Sequence, residues 1–128
     1  MSLILDAGAF LAVERGDRDL VALAKRELLA RRVPRTHGGV VGQVWRGGSG
    51  RQARLAPFFR CVTIVPLDEV LGFRAGVLLR DARRADVVDA ALVLLANDGD
   101  MILTSDPGDL VPLAAASGTH VDIVPVCT

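Results

Sequence analysis

Between residues 86 and 109 the chain reads DVVDAALVLLANDGDMILTSDPGD, and few architectures can accept that stretch. Asp86 and Asp89 stand three apart, so on a helix they share one face. Asp86 also suits the cap position of that helix. The run AALVLLA that follows is apolar nearly all round, which requires a helix buried on most sides. Asn97, Asp98 and Gly99 stop it. Met101, Ile102, Leu103 and Thr104 then read as a short buried strand. Ser105, Asp106, Pro107 and Gly108 break the strand and open the next helix. If the strand is parallel to its neighbours, Asp106 sits just past its carboxyl end, where open α/β sheets place their sites.

The same alternation runs through the rest of the chain. Residues 2–5 form an apolar strand that ends at Asp6, and Ala7 and Gly8 turn it into a helix over 9–14. Asp6 therefore lies at a strand's carboxyl end beside a helix N-terminus, either as a cap or as a functional carboxylate. Residues 17–32 are an amphipathic helix with Leu20, Leu23, Ala24 and Leu28 on its buried stripe. Residues 33–36 are a second strand, with His37, Gly38 and Gly39 as its exit. A helix follows over 40–46, carrying Gln43. Gly47 to Gly50 is a joint, and a short helix from Arg51 ends near Pro57. Residues 61–66 are a third strand, and a long helix starts at Asp68 and Glu69 and runs through Arg80. After the organising stretch, 109–116 is a helix stopped by Gly118, and 120–126 is a last strand that Pro125 marks as an edge. Repeated β–α order argues for one α/β domain over 1–128. A central, mostly parallel sheet of four to five strands would lie between helical layers, a three-layer α/β/α arrangement.

Composition narrows the function classes. Hydrophobic residues are 51% of 128, which predicts a sizeable core rather than disorder. No apolar run approaches the roughly 20 residues of a membrane span, and the N-terminus lacks a basic leader, so a cytoplasmic protein is expected. Cys61 and Cys127 have no metal or redox spacing and are expected as reduced core or edge residues. Neither His37 nor His120 has a partner at metal spacing, so both are expected as loop or edge residues. Net charge is zero but uneven: residues 1–60 hold 11 Arg/Lys against 5 Asp/Glu, and residues 61–128 hold 4 against 10. Such asymmetry suits a carboxylate pocket with a basic rim, which would take a metal ion and a polyanion together. Two differently charged surfaces on one domain would read the same way.

Asp6, Asp89 and Asp106 come from three separate places, and β–α order would bring all three to one end of the sheet. Clustered carboxylates repel in a partly desolvated pocket, so they need protons, basic partners or a cation. Oxygen-only ligands select Mg²⁺ or Mn²⁺, and such an ion can activate water and clamp a phosphate. Other acid-cluster chemistries do not fit. A receiver domain needs a late lysine, and the only lysine is Lys25. A haloacid-dehalogenase phosphatase needs an aspartate two residues after the first, and position 8 is glycine. No Gly-rich phosphate loop is present.

Four motifs in order, LILDAGAF, VVGQVWR, DVVDAALVLLA and MILTSD, span the chain, and together they resemble the PIN domains, more closely the VapC-type ribonuclease toxins of toxin–antitoxin pairs. The resemblance implies a PIN-like fold, Mg²⁺ or Mn²⁺ bound by acidic residues, and RNA cleavage by metal-activated water. Asp6, Asp89 and Asp106 match the family's first, third and fourth acids. Thr104 and Ser105 match the hydroxyls beside the last acid, and Asp86 is an extra acid one turn before Asp89. The departure is Gln43, where the family usually has glutamate. It keeps a carbonyl oxygen and loses a charge, which implies weaker metal binding. The resemblance also implies a homodimer and a cognate antitoxin partner. The helices after Asp17 and Gly39 are candidate surfaces for these. Gln43 equally suits an inactive PIN domain that binds RNA or protein, and a phosphatase-like enzyme on small substrates is a third possibility. The nuclease reading depends on the three aspartates sharing one site rather than being sealed inside as helix caps.

Overall fold

A computed structural model describes residues 1–47 and 50–126. Five strands, Leu3–Leu5 (β1), Arg35–His37 (β2), Thr63–Val65 (β3), Met101–Thr104 (β4) and Asp122–Pro125 (β5), form one sheet. All four pairings are parallel, in the order β3-β2-β1-β4-β5. The connecting helices are Ala7–Glu14 (α1), Arg18–Leu29 (α2), Gly38–Val44 (α3), Leu55–Phe59 (α4), Glu69–Ala82 (α5), Val87–Leu94 (α6) and Pro107–Ser117 (α7). Helices α2, α3 and α4 each pack on α1, while α5, α6 and α7 pack on one another. The sheet is flanked by helices, in a PIN-like α/β architecture. No helix among the described residues is long and apolar enough to cross a membrane.

The central position of β1 follows from its sequence. Leu3, Ile4 and Leu5 are all buried, as a strand covered on both faces requires. Phe10 on α1 closes one side of the core, stacked on Phe59 at 4.8 Å and edge-on to Phe58 at 5.9 Å. At the amino ends of the strands Asp100 is a structural tie. It is buried and accepts the N–H groups of Ser2 and Asn97 at 2.9 and 2.8 Å and the Arg35 guanidinium at 3.2 Å. This satisfied pair sits at the opposite end of the sheet from Asp6 and Asp106.

Several boundaries differ from the sequence reading. The second strand starts at Arg35 rather than residue 33 and includes His37, which is fully buried rather than a loop or edge residue. The helix expected from Arg51 is instead a 3-10 turn, Gly50–Gln52, followed by α4. Pro57 lies inside α4, in its first turn, where the missing N–H is not needed. Helix α7 begins at Pro107, two residues earlier than expected, because proline is pre-set for a first helical position. Gly118 ends α7 in the left-handed region at φ 74°. Cys61 is exposed. Cys127 lies outside the described residues, as do positions 48 and 49 of the expected joint.

Candidate functional site

Strand order reverses at β1. The chain moves from β1 outward to β2 and β3, then returns to the other side for β4 and β5. At such a switch point the loops after the two adjacent strands lead apart and leave a crevice at their carboxyl ends. The loops here follow β1 and β4. Asp6 lies in the first and Asp106 in the second.

Thr104, the last residue of β4, joins these two aspartates. Its hydroxyl donates to Asp6 Oδ2 at 2.7 Å, and Thr104 Oγ1 in turn accepts the Asp106 backbone N–H at 3.0 Å. Asp6 Oδ1 accepts the Ala7 N–H at 2.7 Å, so Asp6 does cap α1 and is buried, at 8% exposure. That cap does not exhaust it. Each carboxylate oxygen has two lone-pair sites, and each is shown accepting one bond. Asp106 occupies the cap position of α7 but makes no cap bond with its side chain. Among the described residues its Oδ2 accepts the Ser105 hydroxyl, at 3.3 Å, and Asp106 is exposed.

Gly8 makes this juxtaposition possible. A Cβ at position 8 would lie 2.5 Å from Ser105 Oγ and 2.7 Å from the Ser105 backbone nitrogen. Only glycine lets the start of α1 approach the β4–α7 loop this closely.

Helix α6 brings the third aspartate. Asp86 caps it, accepting the Val88 and Asp89 N–H groups at 2.9 and 3.1 Å. Burial raises the Asp89 carboxyl to about 7, with further upward pushes from the charges of Asp86, Asp6, Asp109 and Asp106. The charges that bear on Asp89 are all negative, so it shares an electrostatic neighbourhood with both crevice aspartates. Asp109, in the first turn of α7, was not singled out from sequence. The signal was available, since Asp106 and Asp109 repeat the three-residue spacing of Asp86 and Asp89.

His37, expected from the sequence as a loop or edge residue, is a second residue that the structure brings to the site. Its Nε2–H donates to the Val88 carbonyl at 2.9 Å, and its Nδ1 accepts the Gly39 N–H at 3.0 Å. Burial holds its pKa below the ordinary histidine value, against the Val88 bond and the charge of Asp6. A neutral ring with both nitrogens engaged ties the start of α3 to the carbonyl preceding Asp89. No sequence signal distinguished this histidine from a loop residue, because both its partners are backbone groups.

Gln43 is exposed on α3. Its backbone carbonyl accepts Arg46 Nη2 at 3.3 Å, while Arg46 Nη1 reaches the carbonyls of Gly42 and Trp45. Arg46 thus closes the end of α3. Arg54 reaches the Glu14 carbonyl, and the side chain of Arg51 lies outside the description. Among the described residues, no three His, Cys, Asp or Glu side chains form a ready-made metal-holding group. In ligand chemistry the crevice still suits a hard cation. Its donors are carboxylate oxygens, and burial together with their mutual repulsion raises Asp89.

No protein-family model matches the sequence, and no curated protein does. Among solved structures, this chain is similar to one from the crystal structure of VapBC2 from Rickettsia felis bound to a DNA fragment from their promoter. The TM-score is 0.65 at 12% identity, over 97% of this chain and 99% of that one. What the two chains share is the fold; in this chain it is a PIN-like parallel sheet flanked by helices, with its switch point at β1.

Proposed function

We propose that this chain is a metal-dependent endoribonuclease, the toxin of a toxin–antitoxin pair, which hydrolyses RNA phosphodiester bonds. One observation carries the reading: Thr104 holds Asp6 and Asp106 together at the switch point, and their charges reach Asp89 on α6. Asp6, Asp89 and Asp106 would hold Mg²⁺ or Mn²⁺, with Asp109 and Asp86 adding negative charge nearby. When bound, the ion supplies a Lewis acid that activates water and offsets phosphate charge. The chain's own groups set the ligand orientations. Thr104 and the Ala7 N–H fix the two oxygens of Asp6. Ser105 steadies Asp106. The cap on α6 holds Asp89 one turn from Asp86. The fold shared with the VapBC2 chain, with the motif resemblance, supports an antitoxin partner and action inside the cell.

The test is Mn²⁺ titration by calorimetry beside cleavage of a single-stranded RNA. The wild-type chain binds and cuts, while Asp6→Asn and Asp89→Asn stay folded and lose both. Full cleavage by either variant removes the assignment. A second reading, an inactive PIN domain that binds RNA or protein, is favoured by Gln43, a neutral side chain where the resembled family usually has glutamate. RNA binding without metal uptake or cleavage would select it.

A further inference from the structure

Trp45 is the only tryptophan of the chain, and it stands at the carboxyl-terminal cap of α3. More than a third of it, 37%, is open to solvent. A large aromatic ring left outside forgoes burial energy, so its placement needs a reason. The ring is nonetheless held. It meets Phe59 edge-on at 5.9 Å, and Phe59 stacks on Phe10 in the core. The backbone on either side is fixed by one side chain, the buried Gln52. Its Nε2 donates to the Val44 carbonyl at 2.8 Å, and its Oε1 accepts the Arg46 and Gly47 N–H groups at 3.0 and 3.2 Å. Next along the chain, Arg46 is exposed, with its guanidinium pinned to the carbonyls of Gly42, Gln43 and Trp45. Those bonds use three of its five N–H donors. An open aromatic ring and a cation therefore sit side by side on a rigid turn.

Charge indicates what would cover that ring. Between Glu27 and Asp68 the chain has no acidic residue, and every full charge is an arginine. That stretch contains the whole of α3 and α4, with Arg54 and Arg60 exposed like Arg46. An apolar partner gains nothing from so one-sided a charge, whereas a polyanion does. Unpaired bases stack on aromatic rings, and the phosphates between them pair with arginine. We infer that Trp45 and Arg46 form a subsite for single-stranded nucleic acid, the ring stacking one base and the arginine facing the adjoining phosphate. Position links this subsite to the crevice. Helix α3 is capped at its start by His37, which bonds the carbonyl preceding Asp89. Its seven residues carry Trp45 about 10 Å from that end. A strand with one base on Trp45 would therefore reach the crevice within a few nucleotides. That this strand is RNA to be cut rests on the nuclease reading; the stacking does not, because it needs no metal.

The test is a fluorescence titration of the whole chain with a single-stranded oligoribonucleotide in EDTA, which excludes metal-dependent cleavage. With one tryptophan and no tyrosine, the emission reports position 45 alone. Quenching should saturate with binding. Inorganic polyphosphate, which has the charge without the bases, should bind without quenching. By anisotropy of a labelled strand, Trp45→Leu should weaken binding about tenfold or more, and Trp45→Phe, which keeps an aromatic ring, should weaken it less. Quenching in EDTA beside no cleavage in Mn²⁺ keeps the subsite and removes the nuclease reading. Binding of the oligoribonucleotide without quenching, equal quenching by polyphosphate, or a Trp45→Leu chain that binds like wild type overturns the subsite. Absence of any RNA binding also overturns it, and leaves this face to a protein partner.

Discussion

The Thr104 hydroxyl lies 2.7 Å from Asp6 Oδ2, fully buried, at the point where the two central strands part. Removing it leaves a buried carboxylate oxygen without its donor. Thr104→Val, nearly isosteric, is therefore expected to destabilise the fold by about 1–3 kcal/mol. Thr104→Ser keeps the donor and should lose much less. Urea unfolding of both variants checks this. Equal stability of Thr104→Val and wild type would show that the bond contributes nothing.

Asp89 gives stability a defined pH dependence. Its folded-state pKa is raised from 3.8 to about 7, so between these values the folded state binds more protons than the unfolded state. Stability from this group is greatest below pH 3.8, falls as pH rises, and is fully lost above about 7. With screening at a half-buried site allowed for, the change is about 1–2 kcal/mol. Asp89→Asn should flatten the curve and unfold later than wild type at alkaline pH. A metal that needs the ionised form should also release protons on binding near neutrality. Urea midpoints across this range, and calorimetry in buffers of different ionisation enthalpy, measure the two effects. A pH-independent difference between Asp89→Asn and wild type would contradict the raised pKa.

Much of this was legible in the chain because the signals are local. Apolar runs ending in aspartate mark β1 and β4, and β–α order implies the parallel sheet. What was not legible arises across the fold. His37 is buried and bonded to Val88 on α6, 51 residues away in sequence, and nothing beside it predicts that. Asp100 resembles the site aspartates in sequence, yet Arg35 and two backbone groups make it structural. Pro57 reads as a stop, and its place in the first turn of α4 depends on where that helix starts.

Gly8→Ala sets two magnitudes against each other. Alanine favours a helix over glycine by about 1 kcal/mol. The new methyl, however, meets the Ser105 backbone nitrogen at 2.7 Å, and backbone cannot rotate away. Overpacking of this kind costs typically 1–3 kcal/mol, so net destabilisation is expected. The β4–α7 loop must also shift, carrying Asp106 away from Asp6. Thermal melts and Mn²⁺ titration check both consequences. A stabilised variant would mean the approach of α1 to the loop is looser than described.

The two ring nitrogens of His37 can be separated by substitution. Asparagine can still accept the Gly39 N–H but does not reach Val88, whereas glutamine reaches Val88 from a longer stem. His37→Asn should speed amide exchange in the first turn of α6 and weaken Mn²⁺ binding by about 10- to 100-fold. His37→Gln should do less of both. If the two variants behave alike, the ring matters for packing and not for placing Asp89.

Gln43→Glu restores the missing charge of the middle helix. Gln43 is exposed, so the new carboxylate needs no burial and carries little folding cost. Arg46 is a cation close by, because its guanidinium sits on the last carbonyls of α3, including that of residue 43. Two outcomes therefore compete for the added charge: pairing with Arg46, or joining the carboxylates of the crevice. An exposed ion pair contributes about 1 kcal/mol at most, whereas a divalent ion draws on every nearby carboxylate. The metal should win, and Mn²⁺ affinity measured by calorimetry should rise several-fold. An unchanged titration would show that position 43 does not reach the site in this chain, and that Asp6, Asp89 and Asp106 must hold any ion without it.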